Sequence, residues 1–200
     1  MLTEDLKKIW EIIYGNPFVF AAFVSVVLPF AVILAGYAIN LFGEAFATLV
    51  SFFVDPWLVY VIVNYLFFPG VMLHELAHAL FAVLTGAKVT ELALFKREGD
   101  TLGHVNASMR GNMFMIAIQR IFISSAPMFV GTGVVLLCRY LILTLTIPLW
   151  GKILIGYIGV AMFFHMTMSV EDIKIYVKGI PIFMGIVFVV SLIVKLFVLK

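Results

Sequence analysis

LFFPGVMLHELAHALFAVL, residues 66–84, is the stretch on which the fold class turns. Apart from His74, Glu75 and His78 it is almost wholly apolar, and it is long enough to lie within a hydrocarbon layer about 30 Å thick. Inside it stands His74-Glu75-Leu76-Ala77-His78. On a helix, residues four apart are offset by about 40° around the axis and roughly 6 Å along it, so both imidazoles reach one ion. Two histidines at this spacing bind zinc, and the glutamate beside them can take a proton from the water that zinc activates. An ionisable side chain in lipid is costly unless it has a partner or a function. The run therefore points to a hydrolytic metal site within a membrane, with His74 and His78 as ligands and Glu75 as general base.

The rest of the chain has the same character. Of its 200 residues 64% are hydrophobic and 12% charged, and the mean hydropathy is +1.17. A soluble domain of this composition would expose large apolar patches and aggregate, so the chain reads as an integral membrane protein. Its phenylalanines and methionines are lipid-facing and packing surface. A formal net charge of +2 is too small to suggest a nucleic-acid partner. The single cysteine, Cys138, excludes an internal disulfide and a thiolate metal cluster within one chain. Residues 1–16 interleave Glu4, Asp5, Lys7, Lys8 and Glu11 with apolar positions, which suits an amphipathic helix lying on the membrane surface rather than a cleavable secretion signal.

Hydropathy divides the remainder into spans. A first runs from Phe18 to Leu41. Glu44 and Asp55-Pro56 then leave 45–54 too short to cross, which reads as a re-entrant or interfacial piece. A second span, Trp57 to Thr85, carries the zinc motif, with a kink expected at Pro69-Gly70 and a stop at Gly86. Residues 87–111 change in kind: partial alternation over 89–95, a polar Lys-Arg-Glu-Gly-Asp turn and a second short alternation predict a small extramembrane β-hairpin. A third span from Met113 to Thr146 is expected to break near Ser124-Ser125-Ala126-Pro127; Pro148–Met168 and Pro181–Leu199 follow as the fourth and fifth. No internal repeat or low-complexity linker appears, so residues 1–200 form one membrane domain: an all-α polytopic protein of about five transmembrane helices with a β-hairpin after the active-site helix.

With five spans and the N-terminus inside, the inner segments hold Lys7, Lys8, Lys88, Lys96, Arg97, Arg110, Lys174 and Lys178, against Arg139, Lys152, Lys195 and Lys200 on the outer side or tail. The positive-inside rule makes the richer side cytoplasmic and sets the site toward it. A sixth span over 45–67 would reverse the Lys88–Arg110 loop.

Zinc needs a third protein ligand and an open fourth place for water. His165, Ser169 and Asp172 follow i, i+4, i+7 spacing and share one face if the helix continues, whereas Glu171 points about 100° away. Asp172 is the preferred third ligand; His165 is an alternative ligand or a group supporting one, and Glu171 a further alternative. Arg120, within the third span, reads as a structural ion-pair partner or a snorkelling cation, and His104 as a surface residue of the hairpin.

At these residues the chain resembles the site-2 protease family of intramembrane zinc metalloproteases. The resemblance rests on Leu73-His-Glu-Leu-Ala-His-Ala-Leu80, on Ser125-Ala126-Pro127 in the next span and on an aspartate at the end of a later one. It implies a three-helix metalloprotease core over residues 57–173, with His74, His78 and Asp172 as zinc ligands and Glu75 as general base. The aspartate stands in Ser169-Val-Glu171-Asp172-Ile rather than the family's usual Leu-Asp-Gly, and 87–111 is too short for the PDZ domain many members carry; the chain looks like a compact, divergent branch.

The function expected is cleavage of membrane-embedded or membrane-proximal peptide segments, in the bilayer of a prokaryotic cytoplasmic membrane. The alternative, from a different class, is a non-proteolytic scaffold or regulatory protein with a vestigial or structural metal site.

Overall fold

The computed structural model describes residues 2–94, 96 and 102–199. Along the chain come α1 (Leu2–Gly15), α2 (Pro17–Ser51), α3 (Pro56–Val61), a π-helical turn (Ile62–Leu66), α4 (Phe68–Leu84), β1 (Lys88–Ala93), β2 (His104–Ser108), α5 (Met113–Thr144), α6 (Leu149–His165) and α7 (Val170–Phe197). The architecture is helical and membrane-like, with one small antiparallel sheet. Its outer faces are apolar: Phe18, Leu34, Leu143 and Trp150 are each more than 60% exposed, a surface that lipid covers.

Several expected boundaries move, each for a local reason. The first span continues to Ser51, so 45–54 is not a separate re-entrant piece. Glu44 does not interrupt it because its Oε1 accepts a hydrogen bond from Asn40 Nδ2 at 2.8 Å, one turn earlier. The helix starts on Asn16, whose Oδ1 accepts from the Phe18 and Val19 amides, with Pro17 at its first position. The second span bends by 53°, at Phe67 between the π-helical turn and α4, two residues before the expected Pro69-Gly70. Pro69 sits in the first turn of α4, where its missing N–H costs nothing. The end of α4 is as expected: Gly86 adopts φ +81° and the Ala87 amide reaches back to Ala82 O at 2.8 Å.

The third span is unbroken through Pro127, which lies inside α5. The expected continuation of the fourth span to Met168 fails, because α6 ends at His165 and Ser169 caps a new helix. Asp172 therefore arrives in the first turn of α7, not at the end of α6, and α7 begins well before Pro181.

The predicted hairpin is present. β1 and β2 pair antiparallel from Lys88↔Ser108 to Ala93↔His104, with an irregularity between Val89 and Glu91. Most of its polar turn, including Arg97, lies outside the described residues. Val89 and Ala107 pack on Ala82 of α4 and Ile123 of α5.

Helices α4, α5 and α6 pack on one another, while α7 packs on α2 and α5. At Gly70 an added Cβ would strike the Ala161 carbonyl, so glycine is what lets α4 approach α6. Helices α2 and α7 run antiparallel: Tyr176 Oη donates to Pro29 O at 3.1 Å, and farther along Lys195 Nζ lies 3.2 Å from the centroid of the Tyr14 ring. Five alternating crossings would set the first and last spans parallel, an arrangement that α2 and α7 do not show. Three helices, α2, α5 and α7, have the length and hydropathy to cross, and the bent α3–α4 pair makes four; α6, with 17 residues, falls short.

Candidate metal centre

The His-Glu-x-x-His turn lies in the middle of α4, facing α5, α6 and the start of α7. His78 and Glu75 are buried, as is Asp172. The two imidazoles project from one face, and their Nε2 atoms lie 3.1 Å apart. From α7, Asp172 Oδ1 approaches His78 Nε2 at 3.3 Å and Oδ2 approaches His74 Nε2 at 3.9 Å. One ligand atom from each of the three residues falls within 4.8 Å of the others.

Backbone carbonyls decide which imidazole nitrogens face inward. His74 Nδ1 donates to His165 O at 2.6 Å, and His78 Nδ1 donates to Ile123 O at 2.7 Å. A carbonyl only accepts, so each Nδ1 carries a proton, and in the neutral ring each Nε2 then presents a lone pair. Two lone pairs and a carboxylate converging at these distances repel unless a proton or a metal cation sits among them. Zinc bonds of about 2.0–2.1 Å at tetrahedral angles place neighbouring ligand atoms roughly 3.3 Å apart. The donor set and its spacing fit a zinc ion held by His74, His78 and Asp172.

Both accepting carbonyls are free for a reason written in the chain. His165 is the last residue of α6, where helix carbonyls lack partners. Ile123 would ordinarily accept from the amide four residues on, but that residue is Pro127, which has no N–H. The proline thus leaves its helix intact and frees the Ile123 carbonyl for His78. Nearby, Ser124 Oγ donates to Arg120 O and Ser125 Oγ to Ile121 O at 2.6 Å, returning both hydroxyls to their own helix.

Asp172 is held from the other side. Its Oδ2 accepts from the Ser169 amide at 2.9 Å and from Ser169 Oγ at 2.7 Å, while Ser169 Oγ accepts from the Asp172 amide at 3.1 Å. This reciprocal N-cap fixes the carboxylate against the helix end. The two alternatives stand outside the three-residue group, although His165 lines the same cavity and its buried Nε2 has no hydrogen-bond partner among the described residues. The Glu171 carboxylate pairs with Lys174 Nζ at 2.6 Å in the open, and His165 Nδ1 donates to Ala161 O at 2.8 Å.

The Glu75 side chain lies beside the cluster in a cavity of about 750 Å³, and among the described residues no hydrogen bond or ion pair ties it down. The hairpin lines the same cavity, through β2 and the residues just before it. The contact is close: a Cβ added to Gly103 would lie 2.9 Å from Glu75 Cγ and 3.0 Å from Ala93 O. His104, expected at the surface, is only 18% exposed, and its Nε2 lies 3.2 Å from Glu91 Oε1. Asn106 Nδ2 donates to the same carboxyl at 3.1 Å; that bond and the His104 ring hold Glu91 below the usual carboxylate range. Arg120 donates to Lys178 O at 3.4 Å, tying α5 to α7, and no carboxylate pairs with it among the described residues.

Three contributors to this site escape a reading of the sequence: Ser169 as the clamp on Asp172, Pro127 as the source of a free carbonyl, and Gln119. For Gln119 a signal exists, an uncharged polar residue inside an apolar helix, since such a group is retained only where its hydrogen bonds are made. Compared with protein-family models, characterised proteins and solved structures, the chain matches none.

Proposed function

We propose that this chain is an intramembrane zinc metalloprotease that hydrolyses peptide bonds of membrane-embedded or membrane-proximal segments. The observation that carries the reading is the convergence of two Nε2 atoms and a carboxylate beside Glu75 in an open cavity. Three protein ligands leave a fourth place, which distinguishes a catalytic zinc site from a closed structural one. A zinc ion held there would polarise the scissile carbonyl and lower the pKa of a water. Glu75, adjacent to the ligands and without a hydrogen bond or ion pair among the described residues, takes the proton from the attacking water and passes it to the leaving amine.

The cavity wall suggests how a substrate is held. A peptide bond inside a helix is shielded, so the cleaved segment must be extended. β2 pairs with β1 along one edge and lines the cavity, so an extended segment can add to it as a further strand, its backbone running past Glu75. We place the site toward the cytoplasm, because the segment joining α4 to α5 carries Lys88, Lys96, Arg97 and Arg110.

The test is purified protein with Glu75→Ala. The variant should retain zinc at the wild-type ratio and lose cleavage of a single-span reporter peptide. Unchanged cleavage would remove Glu75 from the mechanism, and a wild-type protein that neither binds zinc nor cleaves would refute the reading as a whole.

A further inference from the structure

Gln119 of α5 is 1% exposed in an otherwise apolar neighbourhood, and its side-chain amide makes three hydrogen bonds. Nε2 donates to Thr85 O and to Arg110 O, both at 3.0 Å, and Oε1 accepts from the Arg110 amide at 2.9 Å. Thr85 is the first residue beyond α4, and Arg110 lies between β2 and α5. One side chain thus closes the two ends of the whole hairpin insert onto the helix that also supplies Ile123 O to His78.

Beyond these bonds and the Ala87 amide that reaches back to Ala82 O, the hairpin base is held by contacts of a different kind. Val89 and Ala107 rest on Ala82 and Ile123 through apolar surface, which resists separation but has no directional preference. Hydrogen bonds to a rigid, buried amide fix position along the helices as well. That position matters because Gly103 is in contact range of Glu75, so sliding of the insert would move β2 relative to the reacting atoms.

We propose that Gln119 is a positioning residue that locks the hairpin base so that β2 is held in register with Glu75 and the metal ligands. The inference rests on the protease reading above and extends it to how the substrate-binding wall is aligned. Gln119 touches no ligand of the metal, so its loss should leave zinc chemistry intact and loosen only the wall.

The test compares two zinc-directed probes on the full chain in nanodiscs. Acetohydroxamate reads the metal alone, whereas a peptidyl hydroxamate with an extended apolar arm reads the metal and β2 together. Gln119→Leu, similar in size, should bind acetohydroxamate as wild type does and the peptidyl probe about tenfold more weakly, with faster hydrogen exchange across 104–108. Unchanged binding of both overturns the proposal. Equal loss of both also overturns it, because Gln119 would then merely hold the fold together. In the wild type, the Arg110 amide should exchange as slowly as amides in the middle of α5, and exchange at the unprotected rate contradicts the lock without any variant. Should wild-type protein bind neither probe, the protease reading fails, and the exchange of Arg110 still judges Gln119.

Discussion

Replacing Pro127 with alanine should make the protein more stable and its metal site worse. Proline in a helix interior costs about 3 kcal/mol relative to alanine, so Pro127→Ala recovers a large part of that in α5. The same change restores an amide directed at Ile123 O, the carbonyl that now accepts from His78 Nδ1 at 2.7 Å. A carbonyl has two lone pairs, so the histidine's bond weakens by competition rather than vanishing. Partners that orient a metal-binding histidine typically contribute about 10–100-fold to affinity. The lower end applies here, about tenfold, equivalent to about 1.4 kcal/mol. Apoprotein melting in detergent, followed beside zinc affinity from competition with a chromophoric chelator, reads both terms. The melting temperature should rise by several degrees while zinc binding weakens about tenfold. A rise in stability with zinc affinity unchanged would show that the proline's free carbonyl does not orient His78.

Other expectations follow from the same contacts. Ser169→Ala removes an N-cap worth about 1 kcal/mol and the hydroxyl bonded to Asp172 Oδ2; zinc should bind several-fold more weakly, and equal affinity would contradict the clamp. Gly103→Ala drives a methyl toward Glu75 Cγ and Ala93 O, so cleavage should fall while zinc content holds; full activity would place the hairpin farther from the base than 2.9 Å implies. Asp172→Ala should lose zinc where Glu171→Ala does not, measured as metal per protein after dialysis; the reverse result would exchange their roles.

The candidate site residues were legible because lipid makes polar groups conspicuous. His74, Glu75, His78 and Asp172 stand out against their apolar surroundings, and the structure brings all four to one place. The 2-residue periodicity that marks the hairpin, and the glycine that ends α4, were equally visible. Helix boundaries were not, since a polar or proline residue reads as an interruption when its partner is unseen. Glu44 is absorbed by Asn40, and the carbonyl orphaned by Pro127 is absorbed by His78, 45 residues away in the chain. Likewise His165, Ser169 and Asp172 share spacing on a continuous helix, but a new cap at Ser169 places them differently. Periodicity reports faces; it carries no account of which distant carbonyl completes a side chain's hydrogen bonds.

The central claim is that one zinc ion sits on His74, His78 and Asp172 with a place left open. Zinc K-edge absorption on the purified wild-type protein measures this directly. The account predicts one zinc per chain in a four-coordinate shell of two imidazoles and two oxygen donors, one oxygen exchangeable for an added hydroxamate. A protein without bound zinc, or a shell closed by four protein ligands, would contradict it.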